Sequence, residues 1–258
     1  MTSKKETFAS LMDSFTYRYD LRTVFDDLLT MYIYATAQIP GTGKSHYEDL
    51  YLEIAAKYEK DDLRTRFPKA LAQLIMEMEE RVNDSHGNDV LGEYYQQNFC
   101  KAKSGQFFTP WPLSGMLADL TCGNEADSDK VQQVIDPSCG SGRMLMTAAK
   151  RLGWGHEYYG IDVDHTCVKM TALNLFLNGI FHAEVMCANA LDPNDFRISY
   201  KLSFLPLGIF RIEEKERSRL WQMNRNAFTQ NAKPVPPHII SPSEETKPAG
   251  NGSQLRLF

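Results

Sequence analysis

The segment Val134-Ile-Asp-Pro-Ser-Cys-Gly-Ser-Gly-Arg-Met-Leu-Met146 decides the fold class of this chain. An apolar run that ends in Asp136 is followed by a loop of small residues and then by an apolar helix start, a pattern that predicts a strand, a turn and a helix. Gly140 and Gly142 have no Cβ atom, so the loop can turn sharply and a ligand can lie against its backbone N–H groups. The segment therefore predicts a site for a carboxylate or phosphate group at the end of a strand.

The residues of the loop favour one kind of ligand over another. The dinucleotide fingerprint G-x-G-x-x-G needs glycine at position 145, where this chain has Leu145. The order Asp136-x-Ser138-x-Gly140-x-Gly142 suits S-adenosylmethionine instead. Asp136 can orient the loop or meet the ammonium group of that ligand, while the glycine backbone receives its methionine part. A plain strand-to-helix turn is the alternative for such a loop taken alone.

A second buried strand is predicted at Tyr158-Tyr-Gly-Ile-Asp-Val-Asp164. Asp162 lies 20 positions beyond Gly142, and an acid at about that separation binds the ribose hydroxyls in doubly wound folds. The alternative is that either acid only caps the following helix. Asp164 suits the cap, which leaves Asp162 for the ribose and Val163 beside the adenine ring.

Four segments, in this order, resemble the N6-adenine DNA methyltransferases of the type I restriction-modification kind, specifically their modification subunits. They are Gly105–Pro110, Asp136–Gly142, Gly160–Asp164 and Ala188–Leu191, and the helix Met170–Gly179 lies between the last two. The resemblance implies S-adenosyl-L-methionine as cofactor, adenine-N6 methylation of DNA, and modification or specificity subunits as partners. It also implies that Phe107 and Thr109 lie near the methionine carboxylate and Asn189 at the edge of the adenine. Packing at a domain junction is the alternative for Phe107.

The family's base-binding tetrapeptide, Asn/Asp-Pro-Pro-Tyr/Phe after the fourth strand, is missing from this chain. In the family it accepts hydrogen bonds from the adenine amino group and stacks on the flipped base. Leu205-Pro-Leu-Gly208 stands in register but has neither a polar acceptor nor a ring, so we assign no catalytic residue. Three possibilities stay open. The chain is a methyltransferase whose base acceptor is unrecognised or lent by a partner, an inactive cofactor-binding or regulatory subunit of a DNA-bound complex, or a non-catalytic fragment of a decayed modification gene.

The composition limits the domain number, the kind of DNA contact and the cysteine chemistry that the chain can have. A chain of 258 residues, 43% of them hydrophobic, can bury a core as one large or two small domains. Its net charge of −5 means that contact with DNA must come from a local basic patch or a partner subunit. Five cysteines without a C-x-x-C pair predict neither disulfides nor a metal site. Without a membrane-spanning or signal-like stretch, we expect a cytoplasmic protein.

The predicted architecture is α/β, with three regions. Residues 1–98 form a helical N-terminal domain, residues 99–215 a shortened Rossmann-like methyltransferase domain that binds S-adenosylmethionine, and residues 216–258 a C-terminal helix with a disordered, proline-rich tail. Alternating strands and helices predict a parallel sheet that binds ligands at the carboxyl ends of its strands.

Three local predictions accompany this architecture. Pro110 and Pro112 should hold their segment extended, with a helix from Ser114 to Leu120. Phe204 to Ile212 should form a last strand or hairpin whose edge needs cover, from a helix at Glu213 to Trp221 or from another protein. The P-loop-like Gly41-Thr-Gly-Lys-Ser45 lacks the first glycine and the preceding strand of that motif, so we predict no nucleotide site there.

The chain ends in Gln254-Leu-Arg-Leu-Phe258, which resembles the short peptides by which polymerases and repair proteins bind the bacterial sliding clamp. Gln254 can hydrogen-bond at a pocket rim, while Leu255, Leu257 and Phe258 fill apolar grooves. Packing of the terminus onto its own domain, or chance, is the alternative.

Overall fold

The structure, a computed structural model, describes residues 6–59, 65–82, 87–100, 108–122 and 130–231. Its α-helices are α1 (Phe8–Asp13), α2 (Leu21–Thr36), α3 (Glu48–Ala56), α4 (Arg66–Glu80), α5 (Val90–Phe99), α6 (Trp111–Cys122), α7 (Arg143–Leu152), α8 (His165–Leu177) and α9 (Arg219–Asn231). Its strands are β1 (Gln133–Asp136), β2 (Glu157–Asp162), β3 (Ala183–Cys187), β4 (Ile198–Phe204) and β5 (Leu207–Ile212).

The five strands form one sheet in the order β1-β2-β3-β4-β5. The first three strands are parallel and are joined through α7 and α8, which confirms the predicted α/β fold of the Rossmann-like kind. β4 and β5 depart from the predicted parallel pattern, because β4 pairs antiparallel with β3 and β5 antiparallel with β4. The link from β3 to β4, residues 188–197, is shorter than the dozen or so residues that a parallel crossover needs.

The outer edge of β5 is covered by the N-terminal helical region. The backbone N–H of Ile209 donates to Thr36 Oγ1 over 3.0 Å, and that of Arg211 donates to Tyr47 Oη over 2.8 Å. The prediction that a helix at Glu213 to Trp221 or another protein would cover this edge is therefore wrong. α9 instead packs on one face of the sheet, where Leu220 and Trp221 join a cluster with residues of β2 and β3.

Helix α6 begins at Trp111 rather than at Ser114, so the prediction of an extended segment through Pro112 is also wrong. Proline is tolerated in the first turn of a helix, because the N–H that it lacks has no acceptor within the helix there. The helix then continues to Cys122.

The N-terminal helices and the sheet share a contiguous apolar core, which includes Phe25 of α2, Tyr95 of α5 and Val185 of β3. The buried ammonium group of Lys169 on α8 binds Asp26 of α2 across this junction, with an N···O distance of 2.8 Å.

The P-loop-like segment Gly41 to Ser45 follows helix α2, and not the strand that a P-loop has in front of it. Within the described ranges, no helix is long and apolar enough to cross a bilayer. The five cysteines are free thiols.

Candidate functional site

The carboxyl ends of β1 and β2 border a cavity of about 240 Å³. Six of the residues predicted from the sequence to bind the cofactor line it: Thr109, Asp136, Ser138, Gly140, Asp162 and Val163. A larger cavity, of about 440 Å³, opens at the other end of the sheet beside Glu157 and Lys201. The smaller cavity is the better candidate, because open α/β sheets bind ligands at the carboxyl ends of their strands.

The glycine loop has a shape that other residues would strain. Gly140 and Gly142 have φ angles of 55° and 87°, in the left-handed region. A Cβ atom on Gly142 would lie 3.0 Å from Thr171 Cγ2, and one on Gly140 would lie 3.0 Å from the ring of Phe108. The Thr171 hydroxyl donates to the Gly140 carbonyl over 2.9 Å and so ties the loop to α8. The left-handed backbone and the lack of room for a Cβ atom together explain why glycine occupies both positions.

The two predicted acids stabilise the loop. Asp136 Oδ1 accepts a hydrogen bond from the Ser138 N–H over 3.0 Å. Asp162 Oδ2 accepts from the Gly140 N–H over 2.9 Å, while its Oδ1 accepts from the Asp164 N–H. Burial raises the pKa of both Asp136 and Asp162 above the usual value for an aspartic acid. A carboxylate has about four acceptor sites, so both acids can still accept hydrogen bonds from a ligand.

Asp164 caps α8, as the sequence predicted, because its side chain accepts from the Thr166 N–H. It also accepts from the Tyr95 hydroxyl over 3.0 Å, a contact that links the cap to α5. Val163, between the two acids, is exposed toward the cavity, which leaves an apolar surface for a ring.

A buried polar network around Asp89 stabilises the glycine loop, and the sequence did not predict this network. Asp89, 1% exposed, accepts from Arg143 Nε over 2.6 Å and from Asn174 Nδ2 over 2.8 Å. Ser141 Oγ donates to the same carboxylate over 2.5 Å. Arg143 also donates to the Thr109 carbonyl over 3.1 Å, so the network connects α5, the loop and the start of α6. Asp89 caps α5, because its side chain accepts a hydrogen bond from the Gly92 N–H, and no local sequence pattern pairs it with position 143.

Asn189 lies in the loop after β3 but does not border the cavity formed by the described residues. Its Oδ1 accepts from the Leu191 N–H over 3.0 Å, and its own N–H donates to Asp195 over 2.6 Å. Phe107 and the C-terminal residues Gln254, Leu255, Leu257 and Phe258 lie outside the described ranges.

The Leu205-Pro206 segment that stands in register with the family tetrapeptide forms the tip of the β4–β5 hairpin. Because β4 runs antiparallel to β3, Leu202 pairs with Ala183 at the amino end of β3. The tip therefore lies at the opposite end of the sheet from the cavity, and it cannot contact a base bound there.

Comparison with known proteins identifies a family model and curated proteins that are similar to this chain. Residues 86–205 match the family model described as N-6 DNA Methylase. The Type I restriction enzyme MpnII methylase subunit of Mycoplasma pneumoniae is 30% identical over 185 residues, which are 66% of this chain and 33% of that protein. The MjaVII methylase subunit of Methanocaldococcus jannaschii is 30% identical over 101 residues, or 36% of this chain and 17% of that protein.

Among solved structures, a type I restriction-modification system methyltransferase subunit from Streptococcus thermophilus aligns over 72% of this chain and 57% of its own, with 16% identity and a TM-score of 0.37. The chain spans a third or less of the length of the two curated methylase subunits. Residues 86–205 of the chain are therefore similar to the N-6 DNA methylase family, and the curated relatives reported above are methylase subunits of type I restriction enzymes.

Proposed function

We propose that the chain is an S-adenosylmethionine-dependent DNA methyltransferase that acts on adenine N6, of the type I modification-subunit kind. The observation that carries this proposal is the convergence of Asp136, the glycine loop and Asp162 on one cavity at the ends of two parallel strands. The match of residues 86–205 to the N-6 DNA Methylase family model supports the same reaction class.

The residues at the cavity fit the cofactor. The backbone of Ser138 to Gly140, close to the amino end of α7, suits the methionine carboxylate, because helix amino ends attract anions. Asp136 suits the methionine ammonium group, Asp162 the ribose hydroxyls and Val163 the adenine ring. When bound, the cofactor supplies an activated methyl group on its sulfonium. Thr109 and, by the resemblance, Phe107 would lie over the methionine part, with Asn189 near the adenine.

The chain's own residues position the cofactor rather than the base in this proposal. A DNA substrate is reached through a partner subunit or a local basic patch, consistent with the net charge of −5. Modification and specificity subunits are the proposed partners, and the proposed location is the cytoplasm.

A second function, that of a catalytically inactive cofactor-binding or regulatory subunit, is favoured by the place of the hairpin tip. Leu205 and Pro206 lie at the far end of the sheet, so the segment in register with the tetrapeptide has no access to the methyl group. Such a subunit would bind S-adenosylmethionine within a DNA-bound complex without transferring its methyl group.

Transfer of tritiated methyl groups from S-adenosylmethionine to unmethylated DNA separates the two functions. The isolated chain should transfer little or nothing, because the adenine amino group lacks its acceptor. Transfer to adenine N6 after the remaining subunits are added supports the enzyme. Cofactor binding without transfer in that complex supports the inactive subunit, and robust transfer by the purified chain alone would show that it holds a base acceptor of its own.

A separate proposal concerns residues 254–258. We propose that this peptide tethers the chain to the bacterial sliding clamp, with a micromolar affinity of about −8 kcal/mol. A fluorescence titration of the C-terminal peptide against the clamp tests it, with Leu257→Ala and Phe258→Ala together as the control. Equally weak binding by both peptides would contradict the proposal.

A further inference from the structure

The amino ends of β2 and β3 border a second cavity, which the proposed cofactor site does not use. Its volume is about 440 Å³, within the range of roughly 300–1,000 Å³ that is typical of pockets for small molecules. The first residues of β2 and β3, the last residues of β4 and the segment that leads into α9 form its wall. We call it the amino-end cavity and define it by Glu157, Glu184, Lys201, Phe204, Arg217 and Arg219.

Both acids in the wall of the amino-end cavity are bonded to neighbouring groups. Glu157 accepts from both terminal nitrogens of the Arg219 guanidinium group, over 2.7 and 2.9 Å. Glu184 is buried and accepts from the hydroxyl groups of Ser199 and Ser218. It also accepts from the Arg219 N–H over 3.2 Å. The two carboxylates therefore stabilise the wall of the cavity.

Two cations in the same wall have no side-chain partner among the described residues. They are Lys201 of β4 and Arg217, just before α9, and both are exposed. Lys201 pairs with Glu184 across the strands, so the two side chains lie on the same face of the sheet. With Glu157 neutralised by Arg219, the two cations outnumber the one remaining acid of the wall. Lysine and arginine in a concave surface attract anions and form strong hydrogen bonds to phosphate, so the cavity suits a phosphate group.

An exposed aromatic ring borders the same cavity. Phe204, the last residue of β4, is 59% exposed. Its ring centroid lies 5.5 Å from that of Phe181, which in turn contacts the ring of Phe176 on α8, so neighbouring rings hold Phe204 in place. Lys201 and Phe204 are three residues apart, or about 10 Å along an antiparallel strand. This separation favours an extended ligand with an anionic group at one end and a flat ring at the other.

We propose that the amino-end cavity binds a nucleotide unit, with its phosphate at Lys201 and Arg217 and its base against Phe204. Stacking on a protein ring needs an accessible face of the base, so the unit is a free nucleotide or part of a single strand, and not of a duplex. The cavity lies at the opposite end of the sheet from the candidate cofactor site, so this binding does not depend on the proposed methyl transfer. It gives a chain of net charge −5 a local cationic contact for a nucleic-acid strand.

Fluorescence anisotropy of a labelled oligothymidylate, titrated with the full chain, tests the phosphate contacts. Thymine is used because the candidate cofactor site is proposed to bind adenine, and excess S-adenosylmethionine should not displace the probe. Lys201→Gln together with Arg217→Gln should weaken binding at least fivefold. The double variant should also reduce the slope of log affinity against log salt by about 1.4, since each phosphate contact of a single strand contributes about 0.7. Lys69→Gln, at an exposed lysine of α4, is the control and should change neither quantity.

Two further measurements test the contact with the base. Phe204→Leu keeps an apolar side chain against Phe181 but removes the stacking surface, so it should weaken binding at least fivefold. Tyr17→Leu, which removes a ring that is 98% exposed, should have no effect. With 5-iododeoxyuridine in place of one thymidine, ultraviolet light should cross-link the probe to the peptide that contains Phe204. Circular dichroism of each variant checks that it is folded.

Competition with thymidine 5′-monophosphate identifies the source of the nucleotide. Displacement of the probe indicates a free nucleotide and resistance to displacement indicates a strand, and either result supports the proposal. No binding, binding of duplex DNA only, equal affinity of the double variant and the parent, or cross-links confined to other peptides would overturn it. Calorimetry with S-adenosylmethionine separates this proposal from the proposed function, because the double variant should bind the cofactor like the parent. A chain that binds the probe but no cofactor contradicts the proposed function alone.

Discussion

The carboxylate of Asp89 joins the N-terminal helices to the candidate cofactor loop. Its bond to Arg143 is deeply buried, with side chains 1% and 10% exposed. Asp89→Asn would leave the guanidinium group without a countercharge, so we expect the free energy of unfolding to fall by about 3 kcal/mol or more. Urea denaturation followed by circular dichroism measures this change.

Asp119→Asn is the matched control, because Asp119 pairs with Arg151 at 3.4 Å and its side chain is 71% exposed. It should cost less than about 1 kcal/mol. Asp89→Asn combined with Arg143→Met should recover part of the lost stability, since neither charge is then left alone. Equal losses in Asp89→Asn and Asp119→Asn would contradict a structural role for the buried pair.

His165 gives the protein a pH-dependent stability. Burial lowers its pKa from 6.5 to about 4, and its Nε2 lies 2.8 Å from Tyr200 Oη. Between these values the unfolded chain binds a proton that the folded chain does not, so the free energy of unfolding falls as the pH falls. His165→Gln should flatten this dependence in urea titrations between about pH 6.5 and 4. The exposed His182→Gln should not, and identical slopes in the two variants would exclude His165 as the cause.

At the scale of elements, the turn between β1 and α7 depends on glycine. Gly142→Ala places a Cβ atom in the left-handed region and against Thr171, which should cost about 1–2 kcal/mol from the backbone alone. Adding Thr171→Ser removes Cγ2 but keeps the hydroxyl, so it should restore the part due to crowding. Gly115→Ala, on α6 with no heavy atom within 4 Å, should instead stabilise by up to about 1 kcal/mol. Thermal unfolding of the three variants tests this; Gly142→Ala as stable as the parent would contradict it.

The strand, turn and helix from Val134 to Met146 could be predicted from sequence because each signal is local: an apolar run, two glycines, an apolar helix face. The start of α6 was misplaced, since Pro112 breaks a helix interior but suits a first turn. The antiparallel direction of β4 depends on the length of the link from β3. That length is known only once the ends of both strands are known.

At the scale of the molecule, the sheet and the N-terminal helices should unfold together, because they share one core and the buried Lys169 to Asp26 ion pair. The three tryptophans, Trp111, Trp154 and Trp221, all lie beyond residue 110. Tryptophan fluorescence therefore reports on the sheet region alone, while far-ultraviolet circular dichroism reports on the helices of both regions. We expect coincident urea transitions by both probes. An earlier loss of the circular dichroism signal would show that the helical region unfolds separately.

Only part of the candidate site could be predicted from the sequence, because some of its contacts join residues that are far apart in the chain. Asp136 and Asp162 follow their strands directly, so parallel pairing brings them together. Contacts between distant residues, such as Asp89 with Arg143 or Tyr95 with Asp164, leave no local pattern. The strand order of the described sheet, with β1 at one end and β5 at the other, likewise became visible only with the structure.

Calorimetric titration of the full chain with S-adenosylmethionine is the most direct test of the proposed site at the β1–β2 strand ends. We expect one ligand per chain and, for Asp162→Ala, a loss of about 1.5 to 3 kcal/mol of binding free energy, or roughly ten- to hundredfold in affinity. The exposed Asp49→Ala on α3 should bind like the parent. No heat of binding at millimolar ligand, or equal affinity in Asp162→Ala and the parent, would contradict binding of the cofactor at this site.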